Sequence, residues 1–227
     1  MQLRLQSLLM IAVLLAAGVA QAEPAQDSSA VYAVTYVDAG PTTADAVAAM
    51  LKNFADAARK EDSNVGFIAL RETGRPTRFA LLEGWRDKAA LDARAQKSAG
   101  LLGDLEPKLA SPFDVRRSLG LTVEGNLDAP ADSVVVLTHV DVPANSKDEC
   151  LALLRQLIEA SRNSPGVLRF DLLQQENRAN HLTLVEIWRD REAHDAHVMV
   201  DATREFRQKL TPIEGALYDE RVYSPVQ

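Results

Sequence analysis

Glu186-Ile187-Trp188-Arg189-Asp190-Arg191-Glu192-Ala193-His194-Asp195-Ala196-His197 is the stretch from which the fold can be read. Just upstream, Leu182, Leu184, Glu186 and Trp188 alternate with their neighbours and so share one face of a strand. Asp190 then stands where the N-cap of a following helix belongs, its carboxylate free to accept a backbone N–H of the first turn. The same wording occurs 103 residues earlier as Glu83-Gly84-Trp85-Arg86-Asp87, with Ala90, Asp92 and Ala93 under Ala193, Asp195 and Ala196. Both tryptophans of the protein are thereby paired, which marks an internal repeat.

Working outward at that offset, Thr35-Tyr36-Val37-Asp38 falls on Thr138-His139-Val140-Asp141, Phe67 on Phe170 and Leu70 on Leu173. Further on the register slips by two, because Pro107 matches Pro212, and this predicts a short insertion in the later helix of the second copy. The first copy covers residues 29–121 and the second 133–225, joined by a linker at 122–132 that carries Gly125, Asn126 and Pro130. Each copy reads as strand, helix, strand, strand, helices, strand. In the second, Val134 to Val140 is rich in β-branched residues and nearly all apolar, a strand expected to be buried on both faces. Ser146 with Glu149 forms a capping-box pattern for a helix to about Ala160, and Pro165-Gly166 marks the turn after it. Val167 to Leu173 and His181 to Trp188 form a hairpin pair, and a last strand is expected near Leu217 to Tyr223.

This order, βαββαβ, predicts the α+β class: two tandem ferredoxin-like domains, each an antiparallel sheet with helices on one side. The other sheet face is apolar too, so the copies are expected to pack sheet against sheet, closing an α+β barrel within one chain. A monomer is expected, since the usual dimer is already covalent.

The phrase Glu186-x-Trp188-x-Asp190-x-x-Ala193-x-x-Ala196-His197, repeated in part by Glu83, Trp85, Asp87, Ala90 and Ala93, resembles the antibiotic-biosynthesis-monooxygenase family of dimeric α+β barrels. The resemblance covers almost all of the chain after the first segment. It implies a pocket between helices and sheet that takes a small aromatic or hydrophobic molecule. Families on this scaffold include cofactor-free quinol and polyketide oxygenases, haem-degrading oxygenases and members without established activity.

The resemblance places His197 at that pocket, where a neutral imidazole can take a proton from a phenolic hydroxyl; a purely structural histidine is the alternative. Arg94 is its counterpart in the first copy, suited to an anionic group rather than to base chemistry. All four histidines, His139, His181, His194 and His197, lie in the second copy, so the two pockets differ. His194 and His197 share a helix face, yet no zinc-enzyme spacing is present and no metal is expected. Trp188 and Trp85 read as core or pocket lining. Glu186 and Glu83 are acids in apolar rows that need a partner, read as fixing an arginine or a backbone donor rather than as acid/base groups. His194 and His139 complete the set of candidate substrate contacts, and Phe206 with Leu210 forms a core stripe.

Other functions are excluded by composition. With 47% apolar and 25% charged residues the chain is globular. Residues 1–22 read as a signal peptide: Arg4, the uncharged run Leu8 to Ala20, and the small-x-small site Ala20-Gln21-Ala22. That run falls short of the roughly 20 apolar residues a spanning helix requires. Without it, 24 basic residues (25 less Arg4) face 32 acidic ones, a formal charge of −8 that disfavours nucleic acid. Cys150 is alone and allows no internal disulfide. There is no Gly-x-Gly-x-x-Gly, phosphate loop or Gly-x-Ser-x-Gly elbow.

The family resemblance and His197 together imply a cofactor-independent monooxygenase using O2 on an electron-rich, quinol-type aromatic, and the signal peptide implies that it is exported, periplasmic or secreted. The alternatives are a non-catalytic small-molecule binder on the same scaffold and a haem-binding or haem-degrading protein.

Overall fold

The computed structural model describes residues 30–227; the predicted signal peptide lies outside them. The first copy runs β1 (Val31–Asp38), α1 (Ala44–Ala58), β2 (Asn64–Glu72), β3 (Arg78–Trp85), α2 (Lys88–Leu105) and β4 (Asp114–Thr122). The second runs β5 (Val134–Asp141), α3 (Lys147–Ser161), β6 (Val167–Gln175), β7 (His181–Trp188), α4 (Arg191–Val198), α5 (Asp201–Leu210) and β8 (Asp219–Pro225).

These eight strands close a barrel in the order β1-β3-β2-β8-β5-β7-β6-β4. The inner faces of the two halves pack on each other, as expected, and their edges join as well: β4 pairs with β1 of its own copy and with β6 of the other, and β8 pairs with β5 and with β2. Joining edges removes the unpaired N–H and C=O groups that stacked sheets would leave.

Strand alternation sorts the core into three layers. One face of β1 and β3 packs Val37, Phe79, Leu81 and Trp85 under α1 and α2. The matching face in the second half packs Val136, Phe170, Leu184 and Trp188 under α3, α4 and α5. The residues between them along each strand, among them Val34, Leu82, Leu137, Val185 and Tyr223, fill the barrel. Equivalent positions of the two copies meet there: Tyr36 and His139 come from opposite strands, and the Tyr36 hydroxyl lies 2.5 Å from His139 Nε2. The connection after β4 is part of the core as well. Leu127 is 5% exposed and packs with the barrel residues, a burial that contributes about 2 kcal/mol. It passes so close to Gly66, at φ +147°, that a Cβ there would stand 1.9 Å from the Leu127 carbonyl oxygen.

Three local expectations change. Ser146 does not cap α3 through its side chain, because Ala144–Ser146 already turns as a 3-10 helix and holds Ser146 at φ −98°, ψ 0°, not in the extended conformation from which a hydroxyl reaches forward. The last strand begins at Asp219, and Leu217 is 90% exposed. The inserted pair in the second copy is a helix break: where α2 is continuous, the equivalent segment stops at Val198 and restarts at Asp201, with Val200 in an extended conformation as the new N-cap.

Candidate functional site

Asp190 and Asp87 set up the two equivalent sites. Each accepts the backbone N–H three residues on, Ala193 or Ala90, at 2.8 Å, fixing where the next helix begins over the end of β7 or β3. That phase brings His194 and His197 onto Trp188. The His197 ring lies 4.6 Å from the Trp188 ring at 30°, and 5.5 Å from Phe170 at 67°. His194 meets Trp188 edge-on at 6.2 Å. Both histidines are buried.

The partner of each strand carboxylate is the tryptophan two residues on, not the arginine or backbone donor expected. Trp188 Nε1 donates to Glu186 Oε2 at 2.9 Å, and Trp85 Nε1 to Glu83 Oε2 at 2.7 Å. Residues i and i+2 share a strand face about 7 Å apart, within reach of a carboxylate and an indole. Burial pushes Glu186 up from its ordinary 4.5 to about 8; the Trp188 bond works against this, while Glu220 adds to it and Arg207 opposes it. Glu83 is also raised by burial, with the Trp85 bond, Arg94 and Arg117 opposing.

Above the tryptophan the copies diverge. Arg94 lies 3.9 Å over the Phe54 ring and 6.0 Å from Trp85, so it occupies the place that His197 holds in the second copy. Its guanidinium pairs with Glu61 at 2.8 Å and donates to the Phe54 carbonyl at 3.3 Å; Lys97 bonds the other Glu61 oxygen. The first site is thus tied up by an ion network. In the second, His197 is held at a pKa of about 4 by burial first, then by His194 and Arg207, and is neutral at pH 7. Its Nε2 lies 3.2 Å from the Thr203 hydroxyl, while Nδ1 is buried and has no hydrogen-bond partner. A buried ring nitrogen without a hydrogen-bond partner is uncommon.

His139 belongs to a different place. It points into the barrel, bonded to Tyr36 and, through Nδ1 at 3.1 Å, to Thr183, on the opposite sheet face from His197. Burial, then Arg116 and Arg221, hold it at about 3. Of the predicted set, the structure brings together His197, His194, Trp188 and Glu186 in one layer, and Arg94, Trp85 and Glu83 in the equivalent layer. Thr203 and Tyr218 were missed. Burial and the Glu186 carboxylate raise the Tyr218 phenol far above its usual range, and Thr203 could have been noticed as the match of Ser98 at an offset of 105. Among the described residues no three His, Cys, Asp or Glu side chains are grouped to hold a metal ion, and no helix is long and apolar enough to cross a membrane.

An eight-stranded α+β barrel with two Glu-x-Trp sites under capped helices defines a class: the dimeric α+β barrel, here contained in one chain. The chain belongs to the antibiotic biosynthesis monooxygenase family, whose profile matches residues 30–99 and 133–209. It is 33% identical over 92 residues to an uncharacterized protein of Synechocystis, an alignment spanning 40% of this chain and 63% of that relative. Among solved structures, a monooxygenase candidate from Fusobacterium nucleatum superposes with a TM-score of 0.79 at 13% identity, over 88% of this chain and 94% of the other. An anthrone oxidase-like protein superposes at 0.69 with 14% identity, over 88% and 93%. A major regulator of staphylococcal pathogenesis does so at 0.59 with 12% identity, over 87% and 99%, so the scaffold is not confined to one activity.

Proposed function

We propose that this protein is a cofactor-independent monooxygenase of an electron-rich, quinol-type aromatic, that its working site is in the second copy, and that it acts outside the cytoplasm after loss of residues 1–22. The observation that carries the reading is His197: neutral, stacked on Trp188, with Nδ1 free in a layer lined by aromatic rings. In this chemistry His197 takes the phenolic proton. The phenolate passes one electron to O2, and the resulting radical and superoxide combine at a ring carbon that bears hydrogen. The His197 imidazolium returns its proton to the peroxide anion, and the hydroperoxide so formed breaks its O–O bond and loses the ring hydrogen with hydroxide as water, leaving the quinone. One oxygen atom enters the product and one leaves as water. Exclusion of water and orientation of the ring over Trp188 are the protein's contributions.

Oxygen uptake with a panel of hydroquinones under isotopically labelled O2 tests the reading, with one labelled atom expected in each quinone and the other in water rather than in hydrogen peroxide. His197→Ala is expected to lose at least about 100-fold in kcat/KM, the usual contribution of a general base. A variant as active as the parent removes the assigned base. Because the neutral ring is the active form, activity is expected to fall as pH drops through about 4.

One observation favours a second reading, binding without turnover. A cleft of about 470 Å³ lies between α1 and β2 of the first copy, the linker and the C-terminal residues Pro225, Val226 and Gln227, bounded also by Lys52, Arg59, Phe67 and Ala129, and His197 does not line it. Retention of a small hydrophobic molecule in native mass spectra with no oxygen uptake would favour it.

A further inference from the structure

Thr203 has one hydroxyl proton and two buried neighbours. Its Oγ1 is 3.0 Å from the backbone carbonyl oxygen of His197 and 3.2 Å from Nε2 of the same residue, and the side chain is 4% exposed. Two oxygens at 3.0 Å repel through their lone pairs unless a proton lies between them, and only the hydroxyl has one to give. The proton of Thr203 is therefore committed to the carbonyl. What faces the imidazole is a hydroxyl lone pair, and Nε2 must carry the hydrogen that meets it. A neutral imidazole has a single N–H, so Nδ1 is left bare, in agreement with its having no donor partner.

The first copy makes the same commitment. Ser98 matches Thr203 once the two-residue insertion is counted, and its hydroxyl donates to the Arg94 carbonyl at 2.7 Å, Arg94 being the match of His197. Ser98 is four residues after Arg94 on an unbroken helix, where a hydroxyl ordinarily bonds back to that carbonyl and nothing more. Thr203 is six residues after His197 and reaches back across the break at Met199 and Val200. The insertion thus accompanies a second contact, to the ring, that Ser98 does not make.

We propose that Thr203 is a positioning residue that holds His197 as the Nε2–H tautomer and so assigns Nδ1 as the atom that accepts the substrate proton. The assignment rests on the reading of His197 as the base, but its first test needs no substrate. Nitrogen-15 NMR of the full chain labelled at histidine, with the His197 signals identified by their loss in His197→Gln, distinguishes the two tautomers. The resting protein is expected to show Nε2–H at His197. Thr203→Val, which keeps the shape and removes the hydroxyl, is expected to move His197 to a mixture or to Nδ1–H, and Thr203→Ser to restore Nε2–H. With a hydroquinone substrate, kcat/KM is expected to fall about fivefold or more in Thr203→Val, the weight of one net hydrogen bond, and to stay within about twofold in Thr203→Ser. A resting protein already in the Nδ1–H form overturns the proposal, as does an unchanged tautomer in Thr203→Val. If Thr203→Val does not fold, the spectrum of the parent alone decides. If the tautomers behave as stated while His197→Ala oxidises hydroquinone as fast as the parent, the assignment of Thr203 stands and the reading of His197 as base falls.

Discussion

Glu186 keeps its proton at neutral pH because neither the Trp188 hydrogen bond nor the charge of Arg207 makes up for the water it has lost. Its Oε2 accepts the Trp188 indole N–H, and that single bond offsets only part of the desolvation of a carboxylate. Its folded pKa, about 8, lies above its ordinary 4.5, so the group favours the folded state fully below about 4.5 and that contribution is lost as pH rises through about 8. Glu186→Gln keeps an oxygen for the indole and removes the titration. The variant is expected to match the parent near pH 4 and to melt at least about 3 °C higher at pH 9, as followed by thermal unfolding across that range. The alternation Leu182, Leu184, Glu186, Trp188 already placed the acid and the indole on one face. Because their partners could not be known, an arginine or a backbone donor stood in for a contact two residues away. The same limit applies to His139, which reads in sequence as one more histidine of the second copy, whereas in space it faces the barrel and bonds Tyr36.

At the level of elements, helix α4 is eight residues long and depends on its start. A helix of two turns is marginal by itself, and the Asp190 carboxylate both satisfies the Ala193 N–H and complements the helix dipole. Asp190→Ala is expected to cost about 1 kcal/mol, a lowering of the melting temperature by about 2–4 °C, and to loosen His197 over Trp188. Chemical denaturation of the variant against the parent measures it. This cap was legible because aspartate before a helical pattern has a local mechanism. The Ser146 and Glu149 pattern looked equally local and fails, because the turn before α3 sets the serine backbone wrongly. The two-residue slip between Pro107 and Pro212 announced an insertion in the later helix, but the fold makes it a break that delivers Thr203 to the His197 ring.

For the molecule as a whole, both seams of the barrel are made within one chain, by β4 with β6 and by β8 with β2. Among the described residues no strand edge of the barrel remains to recruit a second copy, so the protein is expected to be monomeric. Light scattering at micromolar concentration, with intact mass on the same sample, is expected to give one chain beginning at Glu23. Twice the chain mass would mean that the barrel pairs again, and an uncut N-terminus would remove the export reading. The pseudo-twofold axis explains why Tyr36 and His139, 103 residues apart and equivalent in the repeat, touch each other. Residues equivalent by symmetry meet only near the axis that relates them, and the fused chain has placed a hydrogen-bonding pair of unlike residues there.

Periodicity and local chain chemistry are enough to specify the repeat, the element order, the class of fold and the placing of acid and tryptophan on one face of each site strand. Which strand edges join, what the linker plugs, which nitrogen of His197 stays free and which groups Arg94 pairs with depend on the tertiary structure. Each of these depends on groups far apart in the chain competing for the same few ångströms of buried space, and no local pattern records the outcome of that competition.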